Sequence, residues 1–100
     1  MRIIKLSASG TIPASADVVI ITQKSGTITL TMPPAGLRGT KKITILRDVT
    51  CAATIGIASS DASGAVETLA GKMNNPAIWA ATQRRCSYVV VDRQWHMLTN

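Results

Sequence analysis

Three features of this sequence predict an all-β fold, a small antiparallel β-sandwich or barrel of about eight short strands. First, aliphatic residues alternate with threonines, most clearly where Thr27, Thr29 and Thr31 interleave with Ile28, Leu30 and Met32. A period of two places one set on each face of a strand. Second, the abundant Ile, Val and Thr branch at Cβ and favour a pleated surface. Third, Gly, Pro and small polar clusters interrupt the apolar runs at short intervals, and no helical period is sustained. The chain has 100 residues, enough for one domain over 1–100. It is 46% hydrophobic, with no Phe, one Tyr and two Trp, so its core is expected to be aliphatic.

The strand at 27–32 organises the reading. Pro33 and Pro34 end it, since neither can donate to a ladder, and Gly36 and Gly39 let the chain turn. Before it, residues 2–6 read as a first strand and 7–10 as a turn. Residues 18–23 (VVIITQ) are a near-continuous apolar run, as in a strand buried on both faces. The short connection 24–26 predicts that this run and the 27–32 strand form a hairpin. After the prolines, 41–47 (KKITILR) alternates again, with Ile43 and Ile45 on one face and Lys42, Thr44 and Leu46 on the other. Residues 51–57 (CAATIGI) form a weaker strand, in which Gly56 signals a bulge or a close backbone approach. Residues 58–64 read as a loop, 66–69 as a short strand and 73–77 as a turn around Pro76. Residues 78–83 (IWAATQ) fit either a strand or one turn of helix. Residues 86–92 (CSYVVVD) and 95–98 (WHML) read as a closing pair of strands.

No run approaches the roughly 18 apolar residues of a membrane helix. The apolar part of the N-terminus is too short for a signal peptide, so the chain is expected to stay in the cytoplasm until it assembles. The formal charge is +6, from eleven Lys and Arg against five Asp and Glu. Such a surplus attracts nucleic acid, acidic protein surfaces or polyanionic glycans without choosing among them. Cys51 and Cys86 match no ligand spacing, and two reduced, buried thiols are the expectation, with a disulfide left open. With His96 as the lone histidine, they match no zinc module. His96 lies opposite the Trp95 and Met97 face and reads as an ordinary strand residue. There is no GxSxG and no GxxxxGK[ST]. No catalytic residue, cofactor site or metal site is predicted, and the chain is not expected to be an enzyme.

Three segments, in order, resemble a module of tailed-bacteriophage virion appendages, of the tail-fibre, head-fibre and capsid-decoration type. They are GTITLTMPP at 26–34, VETLAG at 66–71 and SYVVVDRQWHML at 87–98. The first is similar to the module's Thr/aliphatic strand ending in proline, the second to its Glu-Thr-Ile-x-Gly corner, the third to its closing hairpin. The order and spacing match over about three-quarters of the chain. The turn here, Asp92-Arg93-Gln94, lacks the usual Gly, and the central loop is Ala-rich. The resemblance implies a β-rich structural protein of the virion surface, commonly a homotrimer. A module standing alone fits a capsid decoration (cement) protein that binds the major capsid protein. The alternative is a tail-appendage or head-fibre tip that binds a host receptor or glycan. Nucleic acid ranks third, because the basic residues lack neighbouring aromatic stacking platforms.

The candidate contact residues are basic turns and one aromatic. Arg38, Lys41 and Lys42 lie around one turn; Arg84, Arg85 and Arg93 flank the last hairpin. They serve either as a solvated surface or as two groups that meet on an acidic partner, where the planar Arg fork pairs carboxylates. Trp79 is expected either to plug the core or to anchor an interface.

Overall fold

The computed structural model describes residues 1–34, 42–60 and 64–99. All regular structure among them is β. The strands are β1 (Ile3–Leu6), β2 (Gly10–Thr11), β3 (Val18–Ile21), β4 (Thr27–Met32), β5 (Ile43–Arg47), β6 (Thr54–Ser59), β7 (Val66–Glu67), β8 (Met73–Asn74), β9 (Ala77–Ile78), β10 (Arg85–Val91) and β11 (Gln94–Thr99). Several are only two residues long, which is why eleven segments stand where about eight were expected from the sequence.

The first six strands alternate between two sheets. β1, β3 and β5 lie side by side and parallel in one sheet, while β2, β4 and β6 do the same in the other. The chain therefore winds as a short three-coil spiral, each coil adding one strand to each sheet. The end of the chain then closes the winding. β10 runs antiparallel to β5, β11 antiparallel to β10, and β9 antiparallel to β6. The sheet orders are β1-β3-β5-β10-β11-β7-β8 and β2-β4-β6-β9. The all-β class stands, but both sheets are mixed where antiparallel pairing was expected, and the arrangement is not a clear sandwich or barrel.

The expected β3–β4 hairpin does not form, and the corner between the strands explains why. Gln23 Nε2 donates to the carbonyls of Ser25 and Thr27 at 2.8 and 3.1 Å, and Gly26 takes φ 82°. That left-handed conformation is one glycine adopts without a steric penalty. The next coil stacks on this corner through Ala52 N–H to Lys24 O and Thr54 N–H to Gly26 O, both 2.8 Å. Val19 and Ile21 of β3 and Ile28, Leu30 and Met32 of β4 all become fully buried. Two strands that each bury one face in the same core face one another across it, in opposite sheets, instead of pairing edge to edge.

The parity read from the sequence holds elsewhere. Ile43 and Ile45 are fully buried while Thr44 and Leu46 point outward, and Trp95 is buried opposite a half-exposed His96. In the closing hairpin the core side is Tyr88, Val90, Trp95 and Met97, and Val89 faces out. Asp92 and Arg93 form the turn with φ 52° and 66°. These are values for a two-residue turn of the mirror-image class that follows strand twist. Gly56 is a close approach: a Cβ there would stand 3.1 Å from Ile78 Cδ1. The ambiguous segment after β9 is irregular, with no helical turn. Cys51 and Cys86 are buried free thiols.

Candidate functional site

The alternation in β5 that buries Ile43 and Ile45 also sends Arg47 inward, and Arg47 is only 6% exposed. Its guanidinium is held by backbone. Nε donates to Gln83 O at 2.7 Å and Nη1 to Ala53 O at 2.6 Å. Its carbon centre lies 5.8 Å from the Trp79 ring centroid, a cation–π distance. No carboxylate pairs with it among the described residues. A buried cation is ordinarily paired, because leaving water costs several kcal/mol per ion. Here two carbonyls and a ring face offset only part of that cost.

Around Arg47 the chain forms a cleft of about 560 Å³, lined by Leu46, Arg47, Leu69, Thr82, Gln83, Arg84 and Arg85. A second hollow of about 390 Å³ shares Arg47 and Arg84 and reaches Cys51 and Trp79. Gln83 is 5% exposed, and neither its Nε2 nor its Oε1 has a hydrogen-bond partner. A buried polar group left unmade costs about 1–3 kcal/mol. Arg84 and Arg85 are exposed, and Arg84 Nη2 donates to the Asp48 carbonyl at 3.2 Å. The Asp48 carboxylate is engaged elsewhere: the Thr50 hydroxyl donates to it at 2.9 Å, which helps hold its pKa below the ordinary value. The cleft is thus cationic, walled by two leucines, and floored by an unsatisfied amide.

The predicted contact residues that are described separate in space. Arg38 and Lys41 lie outside the described residues. Lys42 is exposed at the start of β5, whereas Arg84 and Arg85 sit at the opposite end of the β5–β10 ladder, where Leu46 pairs with Arg85 and Ile43 with Tyr88. Arg93, in the β10–β11 turn, lies a full strand away from Arg85. Lys42 and the Arg84–Arg85 pair therefore lie at opposite ends of that ladder, and Arg84 and Arg85 line a cleft with Arg47. Trp79 is a core residue, 5% exposed, with Nε1 donating to the Tyr88 hydroxyl at 2.8 Å, so its ring is not offered to a partner. Arg47 was missed although its inward parity in ITILR is visible. Gln83 carried no signal, because it follows an irregular turn.

The other surface of note is the outer face of the larger sheet. Its cross-strand rows run Ile3–Val18–Thr44–Ser87 and Lys5–Ile20–Leu46–Arg85. Val89 and His96 pair on the same face, and Val91 ends β10. Ile3, Val91 and Leu98 are each about half exposed. Leu98 is the extra residue at the bulge where Ser87 pairs with Thr99 and Tyr88 with Met97. The Thr44 and Ser87 hydroxyls, 2.9 Å apart, form a polar joint between the two apolar ends of this face.

Comparison with family models, with curated proteins and with solved structures found no match.

Proposed function

We propose that this chain is a structural protein of a tailed-bacteriophage particle, a homotrimeric capsid decoration protein that acts by burying surface against its neighbours. The observation that carries the reading is the outer face of the larger sheet. Ile3, Val18, Ile20, Val89, Val91 and Leu98 share an outer face on which, among the described residues, Ile3, Val91 and Leu98 stay about half exposed and the other three half-buried. An apolar face of this kind on a small domain marks an interaction surface.

Its two apolar ends, one on β1 and β3 and one on β10 and β11, are different surfaces joined by Thr44 and Ser87. In a three-fold ring, one end of each copy meets the other end of the next, and the ring closes. The open edge of β1 supports the same arrangement. Arg2 O and Leu6 O accept from β3 and its flanks, so the backbone groups of Ile3 and Lys5 point the other way, along an edge that no described strand pairs with. The resemblance of segments 26–34, 66–71 and 87–98 to the appendage module supplies the virion setting.

The test is the mass of the full chain in solution by light scattering. Three times the 10.6 kDa chain mass, stable on dilution, is expected. The paired variant Ile20→Lys, Val89→Lys should fall to one chain mass with its β spectrum intact. A wild-type monomer at all concentrations overturns the assembly.

A further inference from the structure

We propose that the cleft between the end of β5 and the start of β10 is a docking site for an acidic peptide segment. An Asp or Glu carboxylate engages Arg84 and Arg85 at the rim and the field of Arg47 behind them. Where that peptide comes from, another protein of the particle, rests on the function proposed above; the cleft chemistry does not.

Two independent observations point to a ligand. Among the described residues, Arg47 is a buried cation without a carboxylate partner, and Gln83 is a buried amide with neither end hydrogen-bonded. Both line the same cleft. An anion supplies what Arg47 lacks, and a peptide group supplies at once the donor and acceptor that an amide needs. Arg84 and Arg85 carry planar forks matched to a carboxylate. Leu46 and Leu69 leave an apolar wall for a neighbouring aliphatic side chain. No aromatic ring lines this cleft, and Trp79 is buried beneath Arg47. A sugar would want an open ring to stack on, so the peptide is the better fit.

The test titrates the full ¹⁵N-labelled chain with the blocked peptide acetyl-Leu-Glu-Asp-Leu-amide. The neutral acetyl-Leu-Gln-Asn-Leu-amide, glucuronate and inorganic phosphate are run beside it. Saturable shifts are expected at residues 46–47, 69 and 82–85, with at least tenfold weaker binding of the neutral peptide. Affinity should fall as salt rises. The variant Arg84→Glu, Arg85→Glu, changed at exposed positions, should bind at least tenfold more weakly with the rest of its spectrum unchanged. Gln83→Met, which keeps the volume, should raise the thermal midpoint of the free chain while weakening the peptide several-fold. A group retained only for structure would do the reverse on stability. Absence of saturable shifts, equal binding of the neutral peptide, or unaltered binding by the double variant overturns the proposal. Tighter binding of glucuronate or phosphate than of the acidic peptide overturns it in favour of a sugar or simple-anion site. None of these results depends on the chain mass, so the cleft and the trimer fail separately.

Discussion

The buried pair Trp79–Tyr88 sets up a double-mutant cycle whose outcome follows from the geometry. Trp79 Nε1 donates to the Tyr88 hydroxyl at 2.8 Å, with Tyr88 fully buried and Trp79 5% exposed. Trp79→Phe removes the donor, leaves the hydroxyl short of one partner, and weakens the stacking of Arg47. Losing a partner in the interior costs about 1–3 kcal/mol, and the diminished cation–π contact adds roughly 0.5–1 kcal/mol. The sum is about 1.5–4 kcal/mol, or a drop of roughly 6–30 °C at ~4–8 °C per kcal/mol in a domain this size. Tyr88→Phe leaves the indole N–H orphaned and should cost about 1–3 kcal/mol. The double variant removes both polar groups, so it should cost less than the two single variants together by about 1–2 kcal/mol. Urea unfolding at one fixed chain concentration measures all four proteins, since assembly would otherwise shift each midpoint by mass action. Additivity within about 0.5 kcal/mol would refute the claim that this hydrogen bond ties the post-β9 segment to β10.

Tyr88 is the chain's one tyrosine, and burial pushes its pKa far above the ordinary value. Burial likewise pushes the Cys86 thiol up to about 11. Both groups stay protonated in the fold and ionise earlier in the unfolded chain. Their stabilisation is therefore complete below the unfolded values and lost as pH climbs, from about 9 to about 11 for Cys86 and from about 10 upward for Tyr88, each at up to ~1.4 kcal/mol per pH unit. Tyrosinate absorbance should appear only together with loss of β circular dichroism; a gradual rise near pH 10 in the folded chain would contradict it. Arg93→Gly should stabilise by about 1 kcal/mol in thermal melts, because φ 66° burdens a residue with a Cβ and not a glycine. Gly71→Ala, with φ 81° and open space around the new Cβ, should cost about 1–2 kcal/mol from backbone conformation alone. Gly10→Ala, also in open space but without a positive φ, should be neutral or gain a few tenths in the same melts. Equal effects at the two glycines would remove the conformational explanation.

The alternation of Thr27–Met32 and of ITILR by itself determined which side chains point inward, because the pleat admits only two faces and water rejects the aliphatic one. That rule reached as far as Arg47, whose parity matches Ile43 and Ile45. The closing strands over 86–98 were legible for the same reason, down to Trp95 inside and His96 outside. Outside that closing pair, which strands pair was decided by the tertiary structure. The connection at residues 23–26 is short enough for a hairpin, and only the later arrival of Ala52 and Thr54 on the Lys24–Gly26 corner makes it a turn of a parallel winding. Lys24 and Ala52 are distant in sequence, and local preference carries no information about such a contact. Gln83 follows the same logic: nothing near it in sequence requires an amide to be buried. Its burial is a tertiary outcome: Arg47 of β5 donates to its backbone carbonyl, and its side-chain amide is left without a partner.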